Sequence, residues 1–167
     1  MNLYIIRHSL AVDAGTPGYE NDSQRPLTEK GQKRFRKIAH SLRAQNIKLD
    51  MVLSSPYLRA RQTAEILADE FNLQDGQLAF SDNLLLTGFV DQLIAEINEK
   101  YPVESLALVG HEPALGALIG TLVAGNANLS ITLKKGSVCY LSADNLRHER
   151  SASLEWLLTP AQLLLIE

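Results

Sequence analysis

Two histidines and three arginines stand where apolar runs of this chain give way to polar residues. Leu3-Tyr4-Ile5-Ile6 ends abruptly in Arg7-His8, and Ser105-Leu106-Ala107-Leu108-Val109-Gly110 ends in His111. Arg59 lies in SSPYLRARQTAE, which follows Met51-Val52-Leu53, and Arg25 stands just before Pro26. Guanidinium groups bind phosphate oxygens through a fixed planar fork. An imidazole held within such a cradle can attack phosphorus as a nucleophile. Two histidines also raise the question of a metal. Arginines beside them would repel a cation, however, and no Cys, Asp or Glu offers an obvious third ligand. The chemistry indicated is that of a phosphate-like anion.

Taken singly, each residue has a plain structural role open to it. A histidine at a strand end can simply hydrogen-bond its neighbours, and an arginine in a first helical turn can be solvated. Such an arginine does oppose the helix dipole unless an anion is near. The case for a site is therefore joint: the groups come from distant positions and must share one edge.

That edge follows from the elements. LYII at 3–6, MVL at 51–53, SLALVG at 105–110 and SVCYLS at 137–142 are near-continuous apolar runs, as in strands covered on both faces. LAF at 78–80 reads as a further short strand. SLEWLL at 153–158 is expected to pair with 137–142 through a polar loop around Asp144 to Arg150. Helical periodicity fills the gaps. Phe35, Ile38, Ala39 and Leu42 mark a helix from near Thr28. Tyr57, Ala60, Ala64, Leu67, Ala68 and Phe71 mark a second, which Ser55-Pro56 is expected to start. Val90, Leu93, Ile94, Ile97 and Tyr101 mark a third, and Leu115, Leu118, Ile119 and Leu122 a fourth entered through Pro113. Strands alternating with helices, then a hairpin, give a three-layer α/β/α sandwich with a mostly parallel sheet. Ligands of such sheets bind beyond the carboxyl ends of the strands, where Arg7, His8, Arg59 and His111 fall. The long irregular segment 9–27 carries Arg25 to the same region.

The 167 residues suit one domain, 1–167. Hydrophobic residues at 46% and charged residues at 21% are ordinary for a globular protein in water. A net charge of -3 gives no global field for nucleic acid or anionic membrane, so any anion site must be local. Lys30, Lys33, Arg34, Arg36, Lys37 and Arg43 form the polar side of one helix, a solvated face or a weak dock for an acidic protein. One cysteine, Cys139, excludes an internal disulfide and fits a reducing cytoplasm. Neither terminal apolar run has the length or flanks of a signal peptide or membrane span, which leads to the expectation of a cytoplasmic protein.

Arg7-His8, SSPYLRARQTAE and Gly110-His111 resemble, in order, the motifs of the histidine phosphatase superfamily, the phosphoglycerate mutase-like fold. Arg25-Pro26-Leu27-Thr28-Glu29-Lys30-Gly31 resembles the corresponding stretch of its SixA-type phosphohistidine phosphatases. The resemblance implies that His8 accepts the phosphoryl group, and that Arg7, Arg25, Arg59 and His111 form the phosphate pocket. It also implies that neither metal nor cofactor takes part. Ser9 departs from the motif's usual glycine, which bears on how closely backbone approaches phosphate. Larger relatives carry a glutamate acid after the third strand, where this chain reads SDNLLLTG; Asp82 and Glu112 are the nearby carboxylates. Glu112 is also placed to cap a helix N-terminus. Larger relatives insert a lid there as well, and here there is room for little beyond one helix.

The expected activity is hydrolysis of phosphohistidine on a protein of phosphorelay or phosphotransfer type, through a phosphorylated His8, with His111 protonated when an anion is bound. Alternatives are a small-molecule phosphatase or mutase on the same scaffold, and a weakly catalytic module that binds a phosphorylated partner. His40, His148 and Trp156 are read as surface or packing residues.

Overall fold

The computed structural model describes residues 1–166. Its sheet has six strands: β1 (Asn2–Arg7), β2 (Met51–Ser54), β3 (Leu78–Phe80), β4 (Ser105–Gly110), β5 (Val138–Ser142) and β6 (Ser153–Leu158). Their order is β3-β2-β4-β1-β5-β6. β3, β2, β4 and β1 are parallel, β5 runs antiparallel to β1, and β6 runs antiparallel to β5. This is the expected three-layer sandwich with a mostly parallel sheet.

The helices are α1 (Glu29–Ala44), α2 (Leu58–Glu70), α3 (Val90–Lys100), α4 (Ala114–Ala124) and the short α5 (Pro160–Leu163). Strand alternation divides the core in two. Leu3, Ile5, Leu53, Leu106 and Leu108 pack with α3 and α4, through residues such as Ile97 and Leu118. Ile6, Val52, Ala107 and Val109 pack with α1 and α2, through Phe35, Ile38, Ala64 and Leu67. Both faces are covered, which is why the strands read as unbroken apolar runs.

Two starts differ from the sequence reading. α2 begins at Leu58, with Tyr57 as its N-cap, rather than at Ser55-Pro56. The Ser55 N–H still donates to the Val109 carbonyl at 2.9 Å, so sheet pairing holds that residue out of the helix. Tyr57 therefore leaves the apolar helical face. Conversely, α5 forms where no helix was expected. Thr159 and Gln162 cap it reciprocally around Pro160, the arrangement in which a proline opens a helix.

The order of connections makes the crevice. After β1 the chain crosses by α1 to β2, and after β4 it crosses by α4 to β5, on opposite faces of the sheet. Neighbouring strands whose connections depart to opposite faces leave a gap beyond their carboxyl ends. β1 and β4 are such neighbours, paired Arg7 to Gly110. One close approach tightens the rim: a Cβ on Gly31 would lie 2.0 Å from the Leu10 carbonyl oxygen, so α1 can seat there only with glycine.

Candidate active site

The register of β1 and β4 decides where the histidines go. With Arg7 opposite Gly110, the next residues, His8 and His111, emerge side by side. The His8 N–H donates to the Gly110 carbonyl at 3.1 Å, and the ring centroids stand 5.1 Å apart. Alternation puts both rings on the α1–α2 side and turns Arg7 toward α4. His8 and His111 are 5% and 1% exposed, so neither ring is an ordinary surface group.

His8 Nδ1 lies 2.7 Å from the Ser9 carbonyl oxygen. A carbonyl can only accept, so Nδ1 carries the proton and Nε2 keeps the lone pair. The Arg59 Nε–H donates to that Nε2 at 3.3 Å, which agrees with the same tautomer. Burial pushes the His8 pKa down to about 3, with the charges of Arg59 and Arg7 and the neighbouring His111 adding to it against the Ser9 hydrogen bond. His8 is thus a neutral imidazole with its free nitrogen against a guanidinium. Ser9, in the glycine position, leaves this arrangement undisturbed. Its hydroxyl donates to the Gly31 carbonyl at 2.9 Å, and its N–H donates to Thr63 Oγ1 at 3.1 Å.

His111 Nε2 stands 2.8 Å from Ser55 Oγ, and its Nδ1 is buried without a partner. Burial, then the charge of Arg59, pushes its pKa down to about 3 as well. The imidazole is neutral and still presents one N–H. The expected protonation would have to overcome that burial. The Tyr57 ring, 5.4 Å from His111, lies 5.2 Å from the Arg59 guanidinium carbon and walls the site.

The three arginines differ in how they reach the pair. Arg59, 2% exposed, touches His8 directly. Arg7 donates from Nη1 to the Leu133 carbonyl at 2.7 Å, while its Nε is buried without a partner. Arg25 donates to the Val12 carbonyl at 2.5 Å and to Asp22 Oδ1 from Nε at 2.8 Å and Nη2 at 2.7 Å. Among the described residues, no hydrogen bond joins Arg25 to either histidine. Asp22 links it instead to Arg59, whose Nη2 donates to Asp22 Oδ2 at 2.9 Å and whose Nη1 donates to the Asp22 carbonyl at 2.7 Å. Sequence reasoning passed over Asp22. Its signal was the Asp22-x-x-Arg25 spacing in a 3-10 turn, Asp22–Gln24, where side chains three apart eclipse.

Neither carboxylate weighed from the sequence faces the histidine pair. Asp82 is exposed beyond β3. Glu112 turns back over α4, its Oε2 within 2.9 Å of where a Gly116 Cβ would lie, and its Oε1 is buried without a partner. Burial raises the Glu112 pKa, against the Arg7 charge and a hydrogen bond from the Gly116 N–H. Among the described residues, no three His, Cys, Asp or Glu side chains gather as a metal-binding group.

A model of the histidine phosphatase superfamily (branch 1) matches residues 3–79. The chain is 35% identical to an uncharacterized protein of Picosynechococcus, over 99% of each. It is 28% identical to the phosphohistidine phosphatase SixA of Escherichia coli, over 98% of this chain and 96% of that one. It superposes with a TM-score of 0.82 on a structure of the protein histidine phosphatase SixA complexed with tungstate, 28% identical, covering 98% and 99% of the two chains.

Proposed function

The chain belongs to the histidine phosphatase superfamily and is of the SixA type, and from that premise we propose that it hydrolyses phosphohistidine on a protein. The observation that carries the reading is the state of His8: neutral, with Nδ1 committed to Ser9 and the Nε2 lone pair beside Arg59. In this mechanism Nε2 attacks phosphorus in line and the P–N bond to the substrate imidazole breaks. Arg59 and Arg7 stabilise charge on the equatorial oxygens, and the neutral His111 N–H adds a donor. The leaving imidazole takes a proton from solvent and departs neutral. Water then attacks the phosphorus of phospho-His8, freeing phosphate and the original imidazole. No step uses a metal.

The substrate class is supported by what joins β3 to α3. Only residues 81–89 connect Phe80 to Val90, and they hold a 3-10 turn at Asp82–Leu84. That span cannot fold over the pocket as a lid, so a phosphorylated side chain on a protein surface can enter. Neither Asp82 nor Glu112 faces the pair, which disfavours alkoxide leaving groups that need a positioned acid. A phosphorelay or histidine phosphotransfer domain in the cytoplasm fits these requirements. Among the described residues, no helix is long and apolar enough to cross a membrane.

The test is a panel of phosphohistidine protein, phosphoserine peptide and phosphoglycerate, with and without chelator. Clear preference for phosphohistidine, unchanged by chelator, is expected. Equal or faster release from the alkyl phosphates would replace this reading with a small-molecule phosphatase.

A further inference from the structure

We infer that Asp22 is a positioning residue of the phosphate site, holding the outer fork of Arg59 so that its inner edge stays on His8. The inference rests on the reading of His8 and Arg59 as the reacting pair. A guanidinium offers two bidentate edges, Nη1 with Nη2 and Nε with Nη2. Asp22 takes the first, through its carbonyl at 2.7 Å and Oδ2 at 2.9 Å. That leaves Nε on His8 Nε2 at 3.3 Å, where an attacking nitrogen and a phosphoryl oxygen must both be served. Among the described residues, Asp22 alone forms an ion pair with Arg59, and without it a buried guanidinium would turn to find another acceptor.

Asp22 is itself held. The 3-10 turn sets its side chain beside Arg25, which grips Oδ1 with two N–H groups and is anchored on Val12. The result is a chain of contacts from Val12 through Arg25, Asp22 and Arg59 to His8. Arg25 therefore acts on the site through Asp22. Two other roles for the carboxylate fit less well. Partial burial would raise its pKa, but the hydrogen bonds and charges of Arg25 and Arg59 outweigh that and hold it below the usual carboxylate range, so it is no proton donor near neutral pH. Nor is a stand-in for the anion the better reading, because Asp22 leaves the Arg59 Nε on His8 Nε2 at 3.3 Å.

The experiment compares Asp22→Asn, Asp22→Ala, Arg25→Ala and the Asp22→Ala/Arg25→Ala double variant, each confirmed folded by circular dichroism. Inorganic phosphate binding is read by calorimetry and turnover on phosphohistidine protein by phosphate release. Asp22→Asn keeps the shape and removes the charge, which guards against a failure of Asp22→Ala to fold. Positioning predicts that phosphate binds about tenfold or more weakly to each Asp22 variant and that kcat falls with it. Formate should restore part of both to Asp22→Ala. The double variant should be no worse than Asp22→Ala, because Arg25 works through the missing carboxylate. Tighter phosphate binding in Asp22→Asn, unchanged binding, or additive losses in the double variant would overturn the inference. If wild type binds phosphate yet spares phosphohistidine, the proposed substrate falls while the binding measurements still decide the role of Asp22.

Discussion

A neutral imidazole attacks only through the nitrogen that carries no proton, and at His8 one carbonyl makes that choice. Because Ser9 fixes the proton on Nδ1, His8→Ala is expected to abolish turnover and any base-stable phosphoenzyme, while His111→Ala slows the reaction and leaves phosphorylation detectable. Arg59→Lys should cost about 10²-fold or more in kcat, since an ammonium cannot serve His8, phosphate and Asp22 from one plane. Persistent phosphorylation of His8→Ala would end the proposed mechanism. Glu112 gives a second test at this scale. Its raised pKa would suit a proton donor, but its carboxylate lies over Gly116. Glu112→Gln should therefore change phosphohistidine turnover by less than about threefold, well short of the effect of losing a true general acid; a much larger loss would mean that Glu112 donates a proton after all. The sequence made His8, Arg7, Arg59 and His111 visible because a charge ending an apolar run is conspicuous. Asp22 stayed hidden because its partner Arg59 is 37 residues away and only the turn at 22–24 brings them together.

Among the elements, α1 bears most directly on the site, because its first turn is wedged under the chain that leaves His8. Thr28 caps α1 at the Gly31 N–H, 3.0 Å away, and donates its own N–H to the Leu10 carbonyl at 3.0 Å. Gly31→Ala sets two effects against each other. Alanine gains up to about 1 kcal/mol of helix propensity over glycine. Its Cβ, however, would meet the Leu10 carbonyl oxygen at 2.0 Å, a backbone atom with no rotamer to turn away. Overpacking of about 1–3 kcal/mol should win, lowering Tm. Activity should fall too, because Ser9, which orients His8, is bonded to the Gly31 carbonyl. An unchanged Tm would mean that the rim yields more easily than its contacts indicate. Elements of this kind were legible where one periodicity ran long, as in β4 or α1. They were not where tertiary pairing overrode a local signal: Ser55-Pro56 looks like a helix start, yet the sheet keeps Ser55 and gives its hydroxyl to His111.

Across the whole molecule, the arrangement that keeps two imidazoles neutral makes folding sensitive to acid. Both histidines sit between the sheet and the α1–α2 layer, and burial lowers each from 6.5 to about 3. Between those values the unfolded chain binds protons that the folded chain refuses, so stability must fall as pH drops below about 6.5. Each histidine contributes a slope of about 1.4 kcal/mol per pH unit in that window, and the pair about twice that. Because each unfolded imidazole is already half protonated at pH 6.5, going from pH 6.5 to 5 should then cost about 3 kcal/mol, a large share of the stability of a typical domain. Glu112 opposes the trend, since a carboxyl with a raised pKa gains stability as it protonates. Asp22 adds to the loss only at lower pH, because its depressed pKa keeps it ionised through this range. Urea unfolding from pH 7 to 5 should show the decline, and His8→Asn should remove about half of its slope. The same burial implies that the rate does not drop through pH 6.5, because the nucleophile is still unprotonated there. A flat stability profile in wild type, or an activity limb near pH 6.5, would mean that water reaches these rings and that His8 is not held as a buried neutral nucleophile.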